Sequence, residues 1–172
     1  TLYLFFYNTN AAHYVCFIMS EYQTTHYLFI DEIKIKNANA ITSPLTYGFP
    51  HINGFVGAVH ALSRQIPQDN FEASLLLDGV LIACHEFDLQ AYRPNRFRDY
   101  TFNQSRNPIL RSGKTASIIE EGRVHLTVSL VVEVKSDDTW ALADEEEQTD
   151  FLDWVKNTLM KMRLASGSIE TI

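Results

Sequence analysis

From Arg123 to Lys135 the chain alternates with a period of two. Val124, Leu126, Val128, Leu130, Val132 and Val134 fall on one side, and His125, Thr127, Ser129 and Glu133 on the other. Successive side chains of a strand point to opposite faces, so this segment predicts a β-strand with one apolar face and one more polar face. The apolar face needs a cover, and a chain of 172 residues is long enough to supply it within one domain.

The remaining segments provide partners for that strand. Tyr27 to Ile35 predicts a second strand, followed by a turn-rich connection from Asn37 to Pro50. His51 to Ile66 predicts a helix with Ile52, Phe55, Val56, Val59, Leu62 and Ile66 on one stripe, ended by Pro67. Leu75 to Ala91 predicts one or two strands, broken at Asp78-Gly79. A second helix is expected from Asp144, where Asp144-x-x-Glu147 has the form of a capping box. Leu152, Val155, Leu159 and Met162 form its stripe, Gly167 breaks it, and Ser168 to Ile172 begins another extended run.

The order β-α-β-β-α-β predicts an α+β, ferredoxin-like fold: an antiparallel sheet with two helices on one face. The domain is expected over 19–172, with a basic insertion at about 92–118 between the central strands. Residues 1–18 are rich in aromatics but interrupted by Asn8, Thr9, Asn10 and His13, and Met19-Ser20 looks like a natural start. They are expected to be an extension outside the domain, the competing reading being an edge strand or a partner-binding arm. No run of about twenty apolar residues suggests a membrane span.

That insertion is the chain's main functional signal. Arg93 to Lys114 holds six of the fourteen Lys/Arg residues and one acid, Asp99, in a protein of net charge -7. Arg93, Arg96, Arg98, Arg106, Arg111 and Lys114 are candidate phosphate contacts, with Phe97, Tyr100 or Phe102 as stacking surfaces. Asn103, Gln104 and Asn107 are candidate readers of base edges. Asn37 and Asn39, in the polar stretch after the first strand, either contact RNA or a partner or satisfy turn backbone. Arg123 is a weaker candidate, since Glu121 stands close enough to pair with it.

Other chemistries lack a pattern. No HExxH, P-loop or Cys/His cluster occurs, so neither a metal nor a cofactor is expected. The histidines read as structural, although a lone His can act as base in metal-independent RNA cleavage. Cys84 lies in an apolar run that predicts a buried thiol. With Cys16 far away, a reducing cytoplasm is the expected compartment.

Several linked motifs then carry a resemblance. They are Lys36-Asn37-Ala38-Asn39-Ala40-Ile41-Thr42-Ser43-Pro44-Leu45-Thr46-Tyr47-Gly48-Phe49-Pro50, Gly57-Ala58-Val59-His60-Ala61-Leu62, and Phe102-Asn103-Gln104-Ser105-Arg106-Asn107-Pro108. Ile119-Glu120-Glu121-Gly122-Arg123-Val124-His125-Leu126 and Met162-Arg163-Leu164-Ala165-Ser166-Gly167-Ser168-Ile169 continue the pattern. Over about 27–172 the chain resembles the second Csy subunit family, a Cas-five-like group of type I-F CRISPR surveillance complexes.

The resemblance implies a non-catalytic subunit with a ferredoxin-like core. It would hold the 5′ handle of the CRISPR guide RNA, pair with the large Csy subunit and abut the adjacent backbone Csy subunit. Family members continue well beyond residue 172. The alternatives are a metal-independent repeat endoribonuclease, as in some Cas-five relatives, and a purely protein-binding scaffold.

Overall fold

The computed structural model describes residues 2–6, 22–71, 73–138 and 140–172. Along the chain these form β1 (Leu2–Phe6), β2 (Gln23–Asn39), β3 (Ile41–Ser43), β4 (Thr46–Tyr47), α1 (Asn53–Ser63), β5 (Leu75–Leu89), β6 (Ala91–Tyr92) and β7 (Thr101–Arg106). There follow β8 (Ile118–Glu121), β9 (Arg123–Ser136), α2 (Glu145–Leu159), β10 (Arg163–Leu164) and β11 (Gly167–Thr171).

The main sheet runs β10-β11-β2-β9-β5 with every neighbouring pair antiparallel, and β1 joins β2 along the edge that β11 also uses. The alternating strand, β9, lies between β2 and β5. Val124 through Val134 at even positions are buried as expected, and they pair with Ala38, Ile35, Ile33, Ile30, Leu28 and His26 of β2. Directly opposed residues share a face, so these two strands build most of the core floor.

β2 reaches Asn39, beyond the strand expected from sequence, because it contains bulges. Ile30 and Ile33 are three apart and would face opposite sides of a regular strand. A register shift between them, with Glu32 at φ 50, returns Ile33 to the core. A second shift between Ile35 and Ala38, with Asn37 at φ 57, does the same for Ala38. Asn tolerates the left-handed region better than most residues, which suits it to this position. In β5 the anticipated break at Asp78-Gly79 is likewise a register shift within one continuous strand.

α1 presents Phe55, Ala58, Val59 and Leu62 to the core, while Ile52 and Val56 of the expected stripe are exposed. Ser63 Oγ accepts the Leu77 N–H at 2.8 Å and ties the helix end to β5. α2 buries Phe151, Val155 and Leu159, with Leu152 and Met162 only half-buried. The Asp144 half of its expected capping box is not formed. Asp144 occupies the cap position in extended conformation without a side-chain bond, and Gln148 Nε2 instead donates to Leu142 O at 2.7 Å.

β10 and β11 meet at a two-residue turn, Ala165-Ser166, with φ of 49 and 69. Positive φ at both positions matches the twist of a tight hairpin. Gly167 then lies so close to β2 that a Cβ would fall 2.4 Å from Ile35 Cγ2 and 2.9 Å from Ala38 N, so only glycine fits.

Two expectations are corrected here. Leu2–Phe6, expected outside the domain with the rest of 1–18, pairs with His26–Ile30 of β2, and Tyr3 stacks on Phe29 with ring centroids 6.1 Å apart. Five alternating apolar and aromatic residues suffice for an edge strand once a long partner offers a free edge. The rest of that expectation, 7–18, lies outside the described residues. Cys84 is exposed rather than buried, because it sits on an edge strand at a register shift, past Leu75 and Leu77, the buried residues of β5. Among the described residues, no helix is long and apolar enough to cross a membrane.

Candidate nucleic-acid interface

β5 and β9 are long antiparallel neighbours, and both continue past the sheet. β5 passes through Gln90 into β6, and β8 passes through Gly122 into β9. Together with β7 they form a separate three-stranded sheet, β6-β7-β8, that carries the basic insertion as an arm. From Arg93 to Ser105 and on through Thr115 nearly every residue is exposed, Phe102 being half-buried.

The arm's base is pinned by a polar junction that no local motif signals. Asn37 N–H donates to His125 Nδ1 at 3.2 Å, and Gln90 Nε2 lies 3.0 Å from Asn37 Oδ1 and 2.8 Å from His125 Nε2. Arg123 Nη1 donates to Asn37 O at 3.2 Å while its Nη2 pairs with Glu121 Oε2 at 3.2 Å. Asn37 is thus engaged through its N–H, its carbonyl and its side-chain oxygen. Asn39 is similar: its Oδ1 accepts Ile41 N–H at 3.1 Å, and its Nδ2 donates to Ile41 O at 3.4 Å. The Asn37 side chain joins the polar junction through Gln90, and the Asn39 side chain holds the backbone of Ile41, both at the foot of the arm.

The cations divide into two groups. Arg93 builds the loop: its Nε donates to Arg98 O at 2.8 Å, its Nη2 donates to Arg96 O, and its guanidinium lies over Tyr100, 5.2 Å from the ring centroid. Arg96, Arg98, Arg106, Arg111 and Lys114 make no side-chain hydrogen bond or ion pair among the described residues, and Arg96 only rests on Phe97 at 4.7 Å. Like charges left unpaired on one projection repel one another, and a bound polyanion relieves that cost.

The aromatics divide too. Phe102 packs edge-on against Tyr47 at 5.0 Å, closing the arm onto the β3–β4 hairpin. Tyr100 is covered on one side by Arg93. Phe97, 82% exposed with Arg96 over one face, and Tyr92, 61% exposed, present the most accessible ring surfaces of the arm. Asn103, on β7, and Asn107, in the loop beyond it, have exposed side chains. Sequence reasoning missed Tyr92 because it precedes the first arginine. It missed Gln90 and His125 because their partners are tens of residues away.

One constellation resembles a hydrolytic triad. Ser129 Oγ, in a residue 2% exposed, donates to Asp31 Oδ1 at 2.7 Å, accepts Glu32 N–H at 3.1 Å and lies 2.6 Å from His85 Nε2. The single hydroxyl proton goes to the carboxylate, so the imidazole approaches as a donor. Nucleophile activation needs the reverse, with histidine accepting from serine. The group ties the Glu32 bulge to β9 and β5. Among the described residues no set of His, Cys, Asp and Glu converges to hold a metal ion.

Against known proteins, residues 28–172 match the family model described as CRISPR-associated protein (Cas_Csy2). The chain is also 44% identical over 142 residues to the CRISPR-associated protein Csy2 of Pseudomonas aeruginosa (strain UCBPP-PA14). That alignment covers 83% of this chain and 41% of the relative's length. The matched region takes in the floor strands, both helices and the whole basic arm, so fold-bearing and interface-bearing segments agree: this chain belongs to the CRISPR-associated Csy2 family.

Proposed function

We propose that this chain holds the 5′ handle of the guide RNA within a type I-F CRISPR ribonucleoprotein, acting as a non-catalytic subunit in antiviral defence. The observation that carries the reading is the set of unpaired cations on a projecting arm in a protein of net charge -7. Arg96, Arg98, Arg106, Arg111 and Lys114 take phosphates, Phe97 offers a stacking surface, and Asn103 and Asn107 reach base edges. Arg93, Phe102, Asn37 and Asn39 act indirectly by fixing the arm's shape and foot. The ferredoxin-like reading belongs to the same proposal. It is supported by the order β11-β2-β9-β5, with α1 linking β2 to β5 and α2 leading from β9 toward β11.

The test is the salt dependence of RNA binding. Each phosphate contact on a single strand contributes a slope of roughly -0.7 in log K against log salt. Replacing Arg96, Arg98 and Arg106 together by alanine in the full-length protein therefore flattens the slope by about 2. An unchanged slope in a folded triple variant removes these residues from the phosphate contacts.

A protein-binding role on the body accompanies the RNA-binding role on the arm. Tyr3, Phe29, Val131 and Leu81 are cross-strand neighbours in one row over β1, β2, β9 and β5, on the sheet face turned away from the core. Tyr3 and Leu81 are exposed. Such a row suits a protein partner, and the large Csy subunit and the adjacent backbone Csy subunit are the proposed ones, in the cytoplasm. Capture of a Csy subunit without RNA, lost on replacing Leu81 and Tyr3 by serine, tests it. The endoribonuclease alternative requires cleavage of repeat RNA in EDTA to a 2′,3′-cyclic phosphate, and none is expected.

A further inference from the structure

Asp99 is the one acid between Arg93 and Lys114, and it makes no hydrogen bond or ion pair among the described residues although cations surround it in sequence. A free carboxylate weakens phosphate binding, so phosphate contact alone does not account for it. It lines a concavity of about 640 Å3 with Tyr92, Pro94, Asn95, Arg98 and Thr101. That volume lies within the roughly 300–1,000 Å3 typical of ligand sites.

The loop around the concavity is held from within. Asn95 Oδ1 accepts Phe97 N–H at 3.0 Å, Asn95 O accepts Arg98 N–H at 3.2 Å, and Arg93 binds the carbonyls of Arg96 and Arg98. Thr101 Oγ1 donates to Tyr92 O at 3.4 Å, between paired residues of β6 and β7. A loop fixed before binding loses less entropy when a ligand arrives.

We propose that this concavity is a single-nucleotide subsite that selects the base by its hydrogen-bond donors. Tyr92 supplies the π surface, Arg98 takes the nucleotide's phosphate, and Asp99 accepts from the base edge. The proposal rests on the RNA-binding reading above and deepens it. A carboxylate only accepts, and it can accept two bonds side by side. Guanine offers N1–H and the N2 amino group together. Cytosine and adenine each offer one amino group, and uracil offers one N3–H between two carbonyl oxygens that face the carboxylate unfavourably. The expected order is guanine, then cytosine and adenine, then uracil.

Binding of the full-length protein to octauridine RNA, and to three variants with one central guanosine, cytidine or adenosine, tests this. The guanosine variant is expected to bind about tenfold tighter than octauridine. Asp99→Ala abolishes that preference and strengthens binding to octauridine, since a repelling charge is lost, while Asp99→Glu retains the preference. Asp99 is exposed, so both variants are expected to fold. Equal binding of all four RNAs, or full preference in Asp99→Ala, overturns the subsite but leaves the RNA-binding reading intact. Absence of salt-dependent binding to any of the four overturns both.

Discussion

Gly122 is where the arm leaves the body, and substituting alanine there tests how the two are coupled. Its carbonyl accepts Ala40 N–H at 2.9 Å, which holds the backbone against β2's end. A Cβ at this position would lie 2.8 Å from Ile41 Cγ1, and 3.3 Å from both Ile41 Cδ1 and Phe102 Cζ. The backbone is outside the left-handed region, so the penalty is steric. Overpacking of this kind costs about 1–3 kcal/mol. Restricting the unfolded chain by Gly→Ala offsets about 0.4–1 kcal/mol of that. Gly122→Ala is therefore expected to destabilise by about 0–2.6 kcal/mol, the difference of those two effects.

Ile41→Ala removes both Ile41 atoms in the clash. In that background Gly122→Ala should be neutral or slightly stabilising, giving a coupling of about 1–3 kcal/mol in a double-mutant cycle. Urea unfolding of the four proteins reads this directly. An equal cost of Gly122→Ala in both backgrounds refutes the contact as the cause. If the arm's direction matters to RNA, Gly122→Ala also lowers RNA affinity with an unchanged salt slope, because no cation has been removed.

His26 is fully buried in β2, and burial holds its pKa below the ordinary imidazole value. The unfolded chain then takes up the proton first on acidification, so this contribution to stability is complete above about pH 6.5 and is lost as the pH falls toward the folded value. Relative to His26→Leu, the wild-type urea midpoint should drop between pH 7.5 and 5.5, and a constant gap counts against the effect. Cys84 is exposed, but desolvation raises its thiol pKa. In a Cys16→Ser background it should alkylate without denaturant, more slowly than glutathione near neutral pH, and speed up at higher pH. A thiol that reacts only in urea would contradict the exposure.

Local patterns were legible in the residue order. Period-two alternation specified β9 and its buried face, the stripe from Phe55 to Leu62 specified most of α1's buried side, and the density of arginine marked the arm. These features depend on residues a few positions apart, which backbone geometry converts directly into faces. Tertiary structure decided whatever depended on distant partners. It decided that β2 stays one strand through three register shifts against β9, two of which return Ile33 and Ala38 to the core, because only that pairing rewards their return. It decided that Leu2–Phe6 becomes a strand, because β2 offers a free edge. It also sorted the arm's residues, engaging Arg93 and Phe102 within the fold while leaving Arg98, Asp99 and Phe97 open. The physical reason is the same throughout: a side chain's chemistry is written in the sequence, but whether that chemistry is already satisfied depends on neighbours that only the folded chain brings near.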